Sequence, residues 1–216
     1  LEERKVTFSP KGTAIDLDGD GRDELIWFDG DPGPTWAWFF KGDQYAKVDI
    51  QRDIAAPNWK MVGGGNLRRD GSYQIFWHNV VTGQVYAWSM RGTTYLAEHS
   101  IHTVEDVQWK LVGVGDFDGD GSVDLLWHHQ GSGLVYIWFM NGANFLHDRY
   151  VMTVEDLRWQ VIGVGDLDGD GRTEVLWQHP QGVPVYVWHM DGARWLGDRL
   201  LRPVEDLNWK LLAIGR

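Results

Sequence analysis

The chain has 216 residues, no cysteine, 14 tryptophans, 27 glycines and a formal net charge of −11. Without cysteine, thiol chemistry, disulfide frameworks and thiolate metal sites are excluded, and the negative charge disfavours a nucleic-acid partner, because phosphate binding calls for a basic face. No apolar run approaches the ~18 residues that a membrane-spanning helix needs.

The first residues, Leu1-Glu2-Glu3-Arg4-Lys5, are neither a signal peptide nor an initiator Met, so the sequence reads as an excised or processed piece. Lys11 to Asp16 is a short first strand, followed by the acidic loop Asp16-Leu17-Asp18-Gly19-Asp20-Gly21 and an apolar run, Leu25-Ile26-Trp27. The same order returns every fifty residues, with Trp59, Trp109, Trp159 and Trp209 marking the period. A period of this length signals a repeat architecture.

The third copy shows the plan in full. Lys110 to Gly115 is an apolar strand ending at Asp116-Phe117-Asp118-Gly119-Asp120-Gly121. Leu125-Leu126-Trp127 follows, and its equivalents are Ile75-Phe76-Trp77 and Val175-Leu176-Trp177. Apolarity at every position over so short a run predicts a strand covered on both faces. Val135 to Met140 is the third strand, Asn141-Gly142 predicts a type I′ hairpin with both residues central, and Phe145 to Val151 is the fourth. The fourth copy repeats this plan, with its acidic loop at Asp166-Leu167-Asp168-Gly169-Asp170-Gly171.

Four short strands per repeat and no helical period predict an all-β fold, a β-propeller built from four-stranded blades. The copies run approximately 9–58, 59–108, 109–158 and 159–208 within one repeat domain spanning 1–216, with a partial copy at 209–216. A β-sandwich would not need the same hairpin, loop and Trp positions at constant spacing. Four copies and an orphan strand leave ring closure to dimerisation, to a clasp of Lys5–Phe8 with Trp209–Gly215, or to further blades. The Trp phases 27/77/127/177 and 59/109/159/209 are expected to pack between blades.

The loops follow Asp-x-Asp-Gly-Asp-Gly-x-x-(Asp/Glu). A hard cation such as Ca2+ takes six to eight oxygens at ~2.3–2.6 Å. Asp16, Asp18, Asp20, Arg22 and Glu24 supply one set; Asp116, Asp118, Asp120, Ser122 and Asp124 a second; Asp166, Asp168, Asp170, Arg172 and Glu174 a third. Arg22, Ser122 and Arg172 would contribute backbone carbonyls, and the glycines allow the curl. An EF-hand is rejected because its twelfth position must be Glu between helices, whereas here it is Trp27, Trp127 or Trp177 between strands. The second copy, 66–74, has Arg68 and Gln74 at ligand positions and is predicted to hold no calcium. About three calcium ions per chain are therefore expected.

Strand, acidic loop and apolar strand at this spacing resemble the FG-GAP/VCBS repeats of integrin-α-type β-propellers. The resemblance covers about Thr13 to Gly215 and implies calcium between the first and second strands of blades. It departs in blade number, since such propellers usually have about seven, and in the degenerate loop at 66–74.

These features lead to a calcium-stabilised, secreted or cell-surface module for recognition or adhesion, lectin-like, with a glycan or protein ligand and a possible homodimer. No catalytic motif is present. The alternatives are an appendage or lyase-like catalytic propeller of a carbohydrate-active enzyme, or an assembly scaffold. Trp36, Tyr86, Tyr136 and Tyr186 share a strand face with Trp38, Trp88, Trp138 and Trp188 two residues on, and His78, His128, His129 and His179 lie nearby. Aromatic faces beside polar groups suit sugars, so these eight residues are the candidate ligand contacts.

Overall fold

The computed structural model describes residues 58–66, 72–179 and 185–201, and in the first repeat the strands at 13–15, 24–28, 35–41 and 44–50, mainly by their backbone. Every regular element among them is a strand. The first sheet contains β1 (Thr13–Ile15), β2 (Glu24–Phe28), β3 (Thr35–Lys41) and β4 (Gln44–Ile50). The second contains β5 (Trp59–Asn66), β6 (Tyr73–Asn79), β7 (Gln84–Arg91) and β8 (Thr94–Thr103). The third contains β9 (Trp109–Gly115), β10 (Asp124–His129), β11 (Leu134–Asn141) and β12 (Asn144–Thr153). The fourth contains β13 (Gln160–Gly165), β14 (Glu174–Gln178), β15 (Val185–Asp191) and β16 (Arg194–Leu200). Each sheet is an antiparallel meander in chain order, and none closes on itself as a barrel. These are the blades of a β-propeller-type repeat. Lys5–Phe8 and Trp209–Gly215, on which the clasp depends, lie outside the described residues.

The second strand is the covered one in the second, third and fourth blades: all seven residues of β6 are buried, as are the first five of β10 and the first four of β14. Alternation then sorts each blade into two faces. In the third blade Leu125, Trp127 and Met140 point one way, against Phe76, Val85 and Ala87 of the second. Leu126, Val135, Ile137 and Phe139 point the other way, against Val175, Trp177, Trp188 and Met190 of the fourth. Trp77, Trp127 and Trp177 are among the largest fully buried side chains. Each lies over the third-strand Trp of its own blade, at a centroid distance of 4.7 Å.

First strands meet at close range, with β5 packed on β9 and β9 on β13. A Cβ at Gly113 would lie 2.6 Å from Val164 Cγ1, and one at Gly115 would lie 2.6 Å from Thr173 Cγ2. The glycines of these strands are there for the neighbouring blade. The third hairpin differs from expectation. Asn141 pairs with Asn144, so Gly142 and Ala143 are the two central residues. Gly142 has φ +60° and Ala143 is not in the positive-φ region. Positive φ at the first central residue alone is the type II′ form, and Asn141 is the last residue of the strand. Gly92 and Gly192 repeat the corner with φ +54° and +61°.

Candidate functional site

β9 ends where the loop begins, and β10 starts on the carboxylate that closes it. Gly119 and Gly121 have φ +77° and +87° with open space where a Cβ would stand, so backbone conformation alone selects glycine. Their N–H groups donate to the two oxygens of Asp116, at 2.8 and 2.9 Å. Asp120 N–H donates to Asp118 Oδ1 at 3.2 Å, and Ser122 N–H to Asp120 Oδ1 at 2.6 Å. The loop thereby curls around its own carboxylates. One oxygen each from Asp116, Asp118 and Asp124 lies within 4.8 Å of the others.

Asp124 is buried. Its Oδ2 accepts from Phe117 N–H and its Oδ1 from Met140 N–H, both at 3.0 Å, joining the loop to β10 and β11. Burial pushes its pKa up to about 7; the two backbone N–H groups oppose the rise and the charges of Asp118 and Asp116 add to it. Burial, with Asp120 and Asp116 nearby, also raises Asp118. Among the described residues, no cationic side chain acts on Asp124 to offset these carboxylates. An oxygen-only donor set with uncompensated negative charge fits a hard divalent cation.

The loop at 166–174 repeats the frame. Asp166 accepts from Gly169 and Gly171 N–H at 2.7 and 3.0 Å, Asp168 from Asp170 N–H at 3.2 Å, and Asp170 from Arg172 N–H at 2.9 Å. Glu174, raised by burial first, accepts Leu167 N–H on Oε2 at 2.8 Å. Asp166, Asp168 and Asp170 form one converging set; Asp168, Glu174 and His189 form another. Sequence reasoning missed His189. It is brought to the loop by strand register alone, and its only signal is its place in the repeat, where Phe139 and Ser89 stand in other copies. Thr173 Oγ1 donates to the Asp116 carbonyl at 2.7 Å, so successive loops are tied together.

Asp16, Asp18, Asp20 and Arg22 lie outside the described residues, and Glu24 begins β2. Of the second copy's loop, 67–71 also lies outside them. Gln74 stands buried at the place of Asp124, an uncharged amide whose Nε2 is 3.4 Å from Ser89 Oγ.

The candidate ligand residues occupy the opposite end of the blades, since each first strand runs from its Trp to the acidic loop. Trp109 meets His129 and Tyr136 edge-on, at 4.9 and 5.5 Å. Trp159 does the same with His179 and Tyr186 at 5.2 and 5.5 Å, and Trp59 with Tyr86 at 5.4 Å. His129 Nδ1 accepts from Gly131 and Ser132 N–H at 3.2 and 2.9 Å, which leaves the proton on Nε2, 3.0 Å from Asp106 Oδ2. Asn79 Oδ1 holds the same turn in the second blade, accepting from Val81 and Thr82 N–H. His179 Nε2 lies 3.3 Å from Asp156 Oδ2. Asp156 is held well below the usual carboxylate range, chiefly by the Arg158 guanidinium. Of Trp36 only the backbone, in β3, is described.

His78 and His128 are not at this surface. Each is 1% exposed, and each packs edge-on against the next blade's tryptophan, Trp127 at 5.3 Å and Trp177 at 5.2 Å. The expectation that they contact ligand is corrected: one position earlier on the strand than His129 and His179, they face inward.

Residues 116–177 match the family model described as FG-GAP-like repeat. No curated protein matches the chain. Among solved structures, a chain of the nidogen/laminin complex is 13% identical with a TM-score of 0.54, over 87% of this chain and 63% of that one. A chain of the Photorhabdus luminescens Tc holotoxin pore is 13% identical with a TM-score of 0.43, over 90% of this chain and 12% of that one. A V. cholerae biofilm matrix protein is 16% identical with a TM-score of 0.38, over 88% and 39%. The chain thus spans less than two thirds of each of these structures. The likeness to the nidogen/laminin chain is one of fold. Residues 116–177 are thus an FG-GAP-like repeat, and the flanking blades share its four-stranded plan.

Proposed function

We propose that this module is stabilised by calcium outside the cell and recognises a glycan or protein ligand without catalysing a reaction on it. The observation that carries the reading is the convergence of Asp116, Asp118 and the buried Asp124 with no cationic side chain among the described residues to balance them. A bound calcium ion would neutralise that charge and tie the first strand of the blade to the second and third. Extracellular modules bind calcium in the range of about 10⁻⁴–10⁻³ M, which suits an outside location. At the other end, Tyr86, Tyr136, Tyr186, His129 and His179 are half-buried aromatic and polar groups repeated from blade to blade. Repetition favours binding, because a catalytic centre normally occurs once.

Calcium should raise the melting temperature and chelation should lower it. Binding to the folded state contributes about 2.7 kcal/mol per site when calcium is a hundredfold above Kd. Asp118→Ala should lower the calorimetric stoichiometry by one ion and leave the remaining sites filled. An unchanged melting temperature in metal-free protein would end the calcium reading.

A further inference from the structure

The two described acidic loops share a backbone frame but differ in what stands behind them. In the third blade Asp124 spends both oxygens on backbone N–H groups, those of Phe117 and Met140, and the third-strand neighbour is the buried, apolar Phe139. The fourth blade has Glu174, one methylene longer, and His189 in place of Phe139. Glu174 gives Oε2 to Leu167 N–H. Its Oε1, on a side chain only 2% exposed, faces His189 Nδ1 at 3.8 Å. The same nitrogen is 3.8 Å from Asp168 Oδ2.

We propose that this second set, Asp168, Glu174 and His189 Nδ1, is a mixed nitrogen–oxygen site for a borderline divalent metal of the zinc class, whereas the loop at 116–124 is confined to hard cations. The inference rests on reading the acidic loops as cation sites. Three features carry it. A separation of 3.8 Å is too long for a hydrogen bond, yet shorter than two metal–ligand bonds of ~2.0–2.2 Å laid end to end. Imidazole is a donor that zinc, copper and nickel use and that calcium and magnesium do not favour. Glu174 is also a buried carboxylate whose Oε1 is turned toward His189 and Asp168, so a cation held there would balance its charge. The imidazole itself is 36% exposed, so the site is open to an ion from solvent. Asp168 is shared with the oxygen-only set Asp166, Asp168 and Asp170, so zinc at His189 would compete with calcium in this loop alone.

The test is zinc chloride titration of the full chain by calorimetry, with zinc-edge anomalous diffraction, on the wild type, His189→Phe and Glu174→Gln. His189→Phe installs the third blade's own residue. The expected result is one zinc beside His189 Nδ1, weakened about tenfold or more in either variant, since loss of an outer-shell partner alone costs about 10–100-fold. Calcium binding at 116–124 should be unchanged in both, which also shows that the variants are folded. Zinc affinity indifferent to His189→Phe, or an anomalous peak only at other histidines such as His99 or His129, would overturn the proposal. Calcium binding without zinc at His189 defeats this inference alone, and zinc there without calcium at 116–124 defeats the calcium reading alone.

Discussion

His78 shows how a polar side chain is held as part of an apolar seam. Burial, helped by the charge of Lys110, lowers its pKa to about 4, and burial lowers His128 as well. The unfolded chain binds the proton more readily than the folded one between pH 6.5 and 4. Stability from this group is therefore complete above pH 6.5 and is lost as pH falls toward 4, by up to about 3 kcal/mol. His78→Phe, the residue that the first copy carries as Phe28, should flatten that dependence. Urea unfolding midpoints at pH 7.5 and 4.5 check this: an equal acid-induced drop in wild type and variant would contradict it. At this scale the sequence was most legible where chemistry repeats in register, as with the aspartates at 116, 118, 166 and 168. It was least legible where a side chain reaches a site across strands, as with His189, or where one position decides between faces, as with His128 and His129.

The first strands of the second and third blades carry glycines among their apolar residues, and packing explains Gly63, Gly65, Gly113 and Gly115. β9 lies between β5 and β13, with Val164 filling the space that a side chain at Gly113 would need. Gly113→Ala should cost about 1–3 kcal/mol by overpacking, and Val164→Ala should cost stability alone but recover part of the loss when combined with Gly113→Ala. A double-mutant cycle on thermal unfolding measures that coupling; strict additivity would show that the two positions do not meet. Strand positions were readable to within a residue or two because continuous apolar runs leave few registers. The hairpin type was not. Asn-Gly fits a type I′ turn locally, but pairing of Asn141 with Asn144 moves the corner one residue on. The bulge between Phe139 and Met140 belongs to the same adjustment and has no mark in the sequence.

For the whole molecule, the repeated aromatic end implies ligand binding that is weak at each blade and strong only through several blades at once. Tyr136→Ala should then reduce avidity for a multivalent glycan or protein surface without abolishing it; complete loss from this one substitution, with the fold intact, would point to a single site. Packing between first strands runs β1 to β5, β5 to β9 and β9 to β13, always from one blade to the next. The faces that meet are close to interchangeable: Leu125, Trp127 and Met140 in the third blade correspond to Val175, Trp177 and Met190 in the fourth. A second copy of residues 109–158 inserted after position 158 would thus find, on both sides, the surface it already fits. The array is a template for its own lengthening: tandem gene duplication can add blades without inventing an interface. The lengthened chain is expected to melt cooperatively and to bind one more calcium ion than its parent.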